Sequence, residues 1–220
     1  MARYRDPLLV LFWLAIICSA WVFAADFEKR PVALEPTLTS WPPESLICKK
    51  TGQDSKQTGP KLLMFVHPNC PCSQASIAEL AKFLSRNKFL DSYAVFIVPD
   101  NVDGSWLESK NWSEAQKIPG LQCFADYRAT ESRLFHARGS GETFLFAGDG
   151  RLLFHGGITA ARGHQGANTG LDKLQLAAIK SRIPQFESNP EAVAASAVKS
   201  TVYPVYGCSL QNCSRANSVR

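Results

Sequence analysis

KLLMFVHPNCPCSQASIAELAKFLSRNKFLDSYAVFIV, residues 61–98, decides the fold of this chain. It opens on a short apolar run from Lys61 to His67, which has the length and composition of a buried strand, and Pro68 breaks it. From Ser73 to Lys88 the residues Ile77, Leu80, Ala81 and Leu84 fall at i, i+3, i+4 and i+7, the pattern of an amphipathic helix. Ser92 to Val98 reads as a second strand, ended by Pro99 and Asp100. Strand, helix and strand at this spacing predict a βαβ unit with parallel strands and a right-handed crossover. Two cysteines, Cys70 and Cys72, stand where the first strand gives way to the helix.

Working outward, residues 61–183 form the expected domain. Trp106 to Lys117 has helical character, Leu121 to Ala125 is a short strand candidate, and Glu131 to Ala137 a short helix. Thr143 to Ala147 and Leu152 to His155 flank Gly148-Asp149-Gly150, a hairpin signal. Leu171 to Ile183 carries the apolar period of a last helix, and Pro184 stops it. Residues 26–60 hold Pro31, Pro36, Pro42 and Pro43 and then a polar stretch without period, as a linker does, although Trp41 and Leu46-Ile47 could dock on the domain. Residues 184–220 read as a flexible tail that contains one apolar knot, Tyr203 to Cys208.

Residues 7–25 carry no charge and are strongly apolar. A bilayer helix needs about 20 such residues and a signal-peptide core only about 7–15, so the run is expected to be an uncleaved anchor. The alternative is a signal segment cleaved before Ala25, after the small residue Ala24; both readings export the domain. Cys18 lacks the small residues that precede a lipid-modified cysteine, since Ile16 and Ile17 stand there. The net charge of +5 in 220 residues is scattered, with no basic stripe interleaved with aromatics, so no nucleic-acid partner is expected.

Of the seven cysteines, Cys70 and Cys72 carry the candidate chemistry. The N–H groups of a helix N-terminus favour a thiolate, the nucleophile of thiol–disulfide exchange. By its distance from the strand Cys70 is the expected attacking thiol, with Cys72 resolving the mixed disulfide. A static structural role and metal binding remain as alternatives; copper(I), which prefers soft thiolates, could take Cys70, Cys72 and His67. The exchange reading calls for no metal or other cofactor. His67 and Pro71 flank the thiols, and Arg162 and His164 lie in a glycine-rich loop that either props the sheet or lines the site. Cys208 could pair with Cys213, stay free, or reach back as a third redox thiol, because a linker of some 25 residues spans about 25–30 Å. Cys48 and Cys123 read as incidental.

The element order resembles the thioredoxin-like fold, an α/β three-layer sandwich, here with an N-terminal transmembrane helix. Phe65 to Cys70 is similar to the stretch that leads to the attacking cysteine of thioredoxins, with one residue fewer between the two thiols. Three motifs resemble the bacterial RedB group: His67-Pro-Asn-Cys-Pro-Cys-Ser-Gln-Ala-Ser76, Gly156-Gly-Ile-Thr-Ala-Ala-Arg-Gly-His-Gln-Gly-Ala-Asn168 and Pro204-Val-Tyr-Gly-Cys208. The resemblance implies a membrane-anchored thiol–disulfide oxidoreductase acting on a redox protein or thiol substrate. It also implies a single-pass protein of the bacterial cytoplasmic membrane with its domain facing the periplasm. Thr143 matches the threonine after the family's substrate-docking cis-proline, but Glu142 stands in place of that proline. In carbonate extraction the full-length protein is expected in the membrane pellet. A soluble product beginning at Ala25 would overturn the anchor and leave export intact.

Overall fold

The computed structural model describes residues 7–35, 38–47, 59–99, 102, 104–182 and 202–210. Its elements are α1 (Pro7–Lys29), β1 (Lys61–Val66), α2 (Ser73–Arg86), β2 (Asp91–Val98), a 3-10 turn (Gly104–Leu107), α3 (Lys110–Gln116), β3 (Leu121–Tyr127), α4 (Thr130–Leu134), β4 (Glu142–Phe146), β5 (Leu152–Gly156) and α5 (Thr169–Lys180). The sheet runs β3-β2-β1-β4-β5. The first three strands are parallel, and β4 and β5 are antiparallel to their neighbours. This βαβ unit, extended on one side by an antiparallel hairpin and a closing helix, is the thioredoxin-like architecture. Within residues 61–183 the differences from the sequence reading lie at the ends of elements. The Trp106–Lys117 region divides into a 3-10 turn and a helix, and Ser109 caps the latter by accepting the Trp112 N–H at 3.2 Å.

β1 is central and apolar on both sides because both its faces are covered. Leu62, Met64 and Val66 point into one core with Ile77, Leu80 and Phe83 of α2 and Leu174 and Ala178 of α5. Leu63 and Phe65 point into a second core with Trp41, Phe135, Phe144, Phe146 and Leu210. Alternation along the strand thus feeds two layers. The second layer draws on segments outside the domain as bounded above. Trp41 meets Phe135 and Phe146 edge-on, each at 5.1 Å between ring centroids, and its backbone N–H donates to the Gly150 carbonyl. Ile47 is buried in the same layer. The linker is therefore docked around Trp41 and Ile47, and residues 202–210 are docked as well.

α1 has 23 residues, a mean hydropathy of 2.5 over its most apolar stretch and no buried residue. At 1.5 Å per residue it is about 34 Å long, enough to cross a hydrocarbon layer of about 30 Å. It continues past Ala25 to Lys29.

Removing a buried aromatic leaves a cavity as well as losing transfer energy. Trp41→Ala is expected to cost about 3 kcal/mol, read as a lowered midpoint in urea unfolding. A shift near zero would mean that the linker only rests on the domain.

Candidate active site: three thiols at Ser140

β1 ends at Val66, and the chain turns through His67 to Cys72 before α2 begins at Ser73. The turn is built by its own backbone. Cys70 N–H donates to the His67 carbonyl at 3.2 Å, and the N–H groups of Ser73, Gln74 and Ala75 donate to the carbonyls of Cys70, Pro71 and Cys72 at 3.2–3.3 Å. Asn111 of α3 secures it from outside by donating to the Cys70 carbonyl at 2.8 Å. His67 Nδ1 accepts the Asn69 N–H at 3.0 Å, and the ring lies edge-on to Trp106. Cys70 faces inward and is 2% exposed, whereas Pro71 is exposed and Cys72 half-buried.

The loop before β4 forms the opposite wall. Buried Glu142 accepts the N–H groups of Arg138 and Gly139 at 2.7 and 2.9 Å, and its other oxygen meets His155 Nε2 at 2.6 Å. A carboxylate therefore shapes the backbone turn at the position where the resemblance would place a proline. Ser140 Oγ accepts the His67 N–H at 2.7 Å and meets Ser73 Oγ at 2.5 Å.

The third side is the tail. Tyr203 N–H donates to the His155 carbonyl, and the Val205 carbonyl accepts from Val32. The Cys208 carbonyl accepts the Ser140 N–H at 2.8 Å, and Leu210 N–H donates to Arg138 at 2.8 Å. Tyr203 stacks on Phe154, and Val205 is fully buried. Residues 202–210 thus form a strap, and glycine is required where strap and domain touch backbone to backbone: a Cβ on Gly207 would stand 1.9 Å from the Ser140 carbonyl oxygen. Arg162 clamps the strap, donating to the carbonyls of Gly207 and Arg30 while its guanidinium covers Phe27.

The result is a triangle of sulfurs. The Sγ atoms of Cys70, Cys72 and Cys208 lie within 4.8 Å of one another. Cys70 and Cys208 are 2.7 Å apart, inside the about 3.5–4.0 Å of unbonded carbon-sized atoms. The hydrogen bond from Cys208 brings the Cys70 thiol down to about 5, helped by Ser73 and opposed by burial. Cys72 is pushed up by burial and by the Cys70 charge. Cys208 is pushed up by its contact with Cys70 and then by burial. In the reduced site Cys70 is the thiolate, and its neighbours hold their protons.

Of the other residues named from sequence, Arg162 reaches the site through the strap. His164 is exposed and pairs with Glu28 at 3.2 Å, and Thr143 is buried in β4 with its hydroxyl on the Gly141 carbonyl. Burial lowers the His67 imidazole, and His67 is not among the ligand atoms grouped with the sulfurs. Ser140 and His155 carried no functional signal in the sequence; Ser73 and Gly207 stand within the quoted motifs and Glu142 where the resemblance would place a proline, without a role for any of the three. Cys123 sits half-buried in β3 and burial raises its thiol to about 11; Cys48 and Cys213 lie outside the described residues.

No protein-family model and no curated protein matches the chain. Solved structures do. An uncharacterized conserved protein from Geobacillus kaustophilus is 16% identical with a TM-score of 0.53, over 82% of this chain and 91% of that one. A hypothetical protein from Sinorhizobium meliloti 1021 is 18% identical with a TM-score of 0.50, over 83% and 96%. A secreted Mycobacterium tuberculosis disulfide oxidoreductase is 16% identical with a TM-score of 0.40, over 57% and 84%. For the first two, at these identities, the likeness is one of fold.

Thiolate absorbance of the fully reduced protein is expected to appear with a midpoint near pH 5, because above that pH Cys70 has lost its proton. Cys208→Ala should move the midpoint upward, since it removes the largest stabilising hydrogen bond. An unchanged midpoint would assign the acidity to Ser73.

Proposed function

We propose that this protein is a membrane-anchored, extracytoplasmic thiol–disulfide oxidoreductase working at the Cys70-Pro71-Cys72 turn, with Cys70 as the attacking thiol. The observation that carries the reading is the placing of two further sulfurs within 4.8 Å of Cys70, where hydrogen bonding lowers its thiol to about 5. Exchange needs a thiolate at ordinary pH and a second thiol in reach to release the mixed disulfide. The three motifs that resemble the RedB group fall on the site itself: the turn, the Arg162 loop and the strap. A periplasmic domain held by α1 and acting on a redox protein or thiol substrate follows from the same reading.

Copper(I) binding is the second reading, favoured by three thiols in one place. Two sulfurs on one ion at about 2.3 Å each stand about 3.8–4.0 Å apart, so Cys70 and Cys208 would have to separate by about 1 Å. The 2.7 Å contact suits sulfur–sulfur chemistry better.

Full-length protein in detergent, titrated against thiol–disulfide buffers with metal analysis of the same sample, separates the two. A two-electron transition that disappears in Cys70→Ser is expected, without stoichiometric metal. Stoichiometric copper and no transition would replace exchange with metal binding.

A further inference from the structure

The spacing of Cys70 and Cys72 makes Cys72 the natural resolving thiol, but the tertiary structure brings another sulfur against Cys70. Cys208 Sγ stands 2.7 Å from Cys70 Sγ, although 138 residues separate the two in sequence. The contact is not accidental to a loose end. The strap that carries Cys208 is held by backbone hydrogen bonds to His155, Val32, Ser140 and Arg138, and by Arg162 on the Gly207 carbonyl. Its residues on either side of the cysteine are buried at Val205 and Leu210. Gly207 is what allows the strap to lie directly on Ser140.

We propose that Cys208 is the resolving thiol of Cys70, carried on a docked strap that also closes the site; this rests on the exchange reading above. With Cys70 2% exposed, an incoming disulfide reaches it only when the strap lifts. The Cys70 thiolate then attacks one sulfur of the incoming disulfide R–S–S–R′, forming Cys70–S–S–R and releasing R′S⁻. When the strap returns, Cys208 gives its proton to R′S⁻ and attacks Cys70 Sγ. The bond to R breaks, RS⁻ leaves, and a Cys70–Cys208 disulfide forms. The protein has lost two electrons and the incoming disulfide has gained them. Ring geometry agrees with this division. Bridged cysteines need Cα atoms about 4.4–6.8 Å apart with suitable Cβ directions, which two separate segments reach more freely than residues i and i+2. Hydrogen bonding between the reduced thiols holds the strap closed and keeps Cys70 charged, so the attacking and resolving groups are aligned before the substrate arrives.

The experiment uses full-length protein in detergent with glutathione disulfide as the probe. After oxidation and non-reducing digestion, a peptide linking Cys70 to Cys208 is expected. Cys72→Ser should keep the two-electron transition, and Cys208→Ser should stop at a Cys70–glutathione mixed disulfide. Gly207→Ala, which lifts the strap without touching a thiol, should raise the alkylation rate of Cys70 by about tenfold or more. A Cys70–Cys72 peptide, with the transition lost in Cys72→Ser and kept in Cys208→Ser, would overturn the inference and leave the exchange reading standing. No disulfide at Cys70 in any form would end both.

Discussion

Three distant segments meet at Ser140, and the thiol site depends on that meeting. Its N–H holds the Cys208 carbonyl, its hydroxyl accepts the His67 N–H, and the same oxygen touches Ser73 Oγ. Ser73 opens the helix behind Cys70, His67 follows the strand before it, and Cys208 lies across it. Ser140 can serve all three because Glu142 fixes its loop from below through two backbone N–H groups and the His155 ring. A buried carboxylate that accepts several hydrogen bonds is costly to leave unpaired, so the loop has one stable arrangement. Glu142 thus anchors the loop at the position where the resemblance would place a proline.

Charge at the site is shared unequally. Three thiols within 4.8 Å cannot all ionise, because each negative charge raises the cost of the next. The proton leaves Cys70 and stays on Cys72 and Cys208. That asymmetry comes from hydrogen-bond direction: Cys208 and Ser73 donate toward Cys70, whereas Cys72 is mostly desolvated and lies beside the resulting charge. Arg162 lies close enough to lower the two raised thiols somewhat, and it does so while holding the strap.

The same arginine ties the site to the end of the apolar helix. Arg162 covers Phe27, bonds the Arg30 carbonyl through its side chain and donates its own N–H to the Glu28 carbonyl. A cavity of about 710 Å³ lies here, bordered by Phe27, Val32, Leu34, Arg162 and Cys208. The thiols therefore sit beside the base of α1 and not at the far end of the domain. The glycine-rich loop that could be read either as a prop or as a site wall acts as a clamp between helix base and strap.

Much of the framework was legible from residue pattern alone, because period and punctuation are local properties. Lys61 to His67 reads as a buried strand, Ser73 onward as a helix with one apolar face, and Gly148-Asp149-Gly150 as a hairpin turn. These follow from side-chain direction and backbone sterics within a few residues. The same locality placed Cys70 and Cys72 between strand and helix, and it marked residues 7–25 as long and apolar enough to cross a membrane. It gave no direction to the strap, since a reach of 25–30 Å is a radius and not a vector. It marked Glu142 as out of pattern and Trp41 as able to dock but named no partner for either: the role of Glu142 exists only once Arg138, Gly139 and His155 surround it, and the partners of Trp41 lie about a hundred residues away. Nearest-neighbour chemistry belongs to the sequence; which sulfur touches Cys70 was decided by long-range burial and backbone hydrogen bonding, which exist only after the chain has closed on itself.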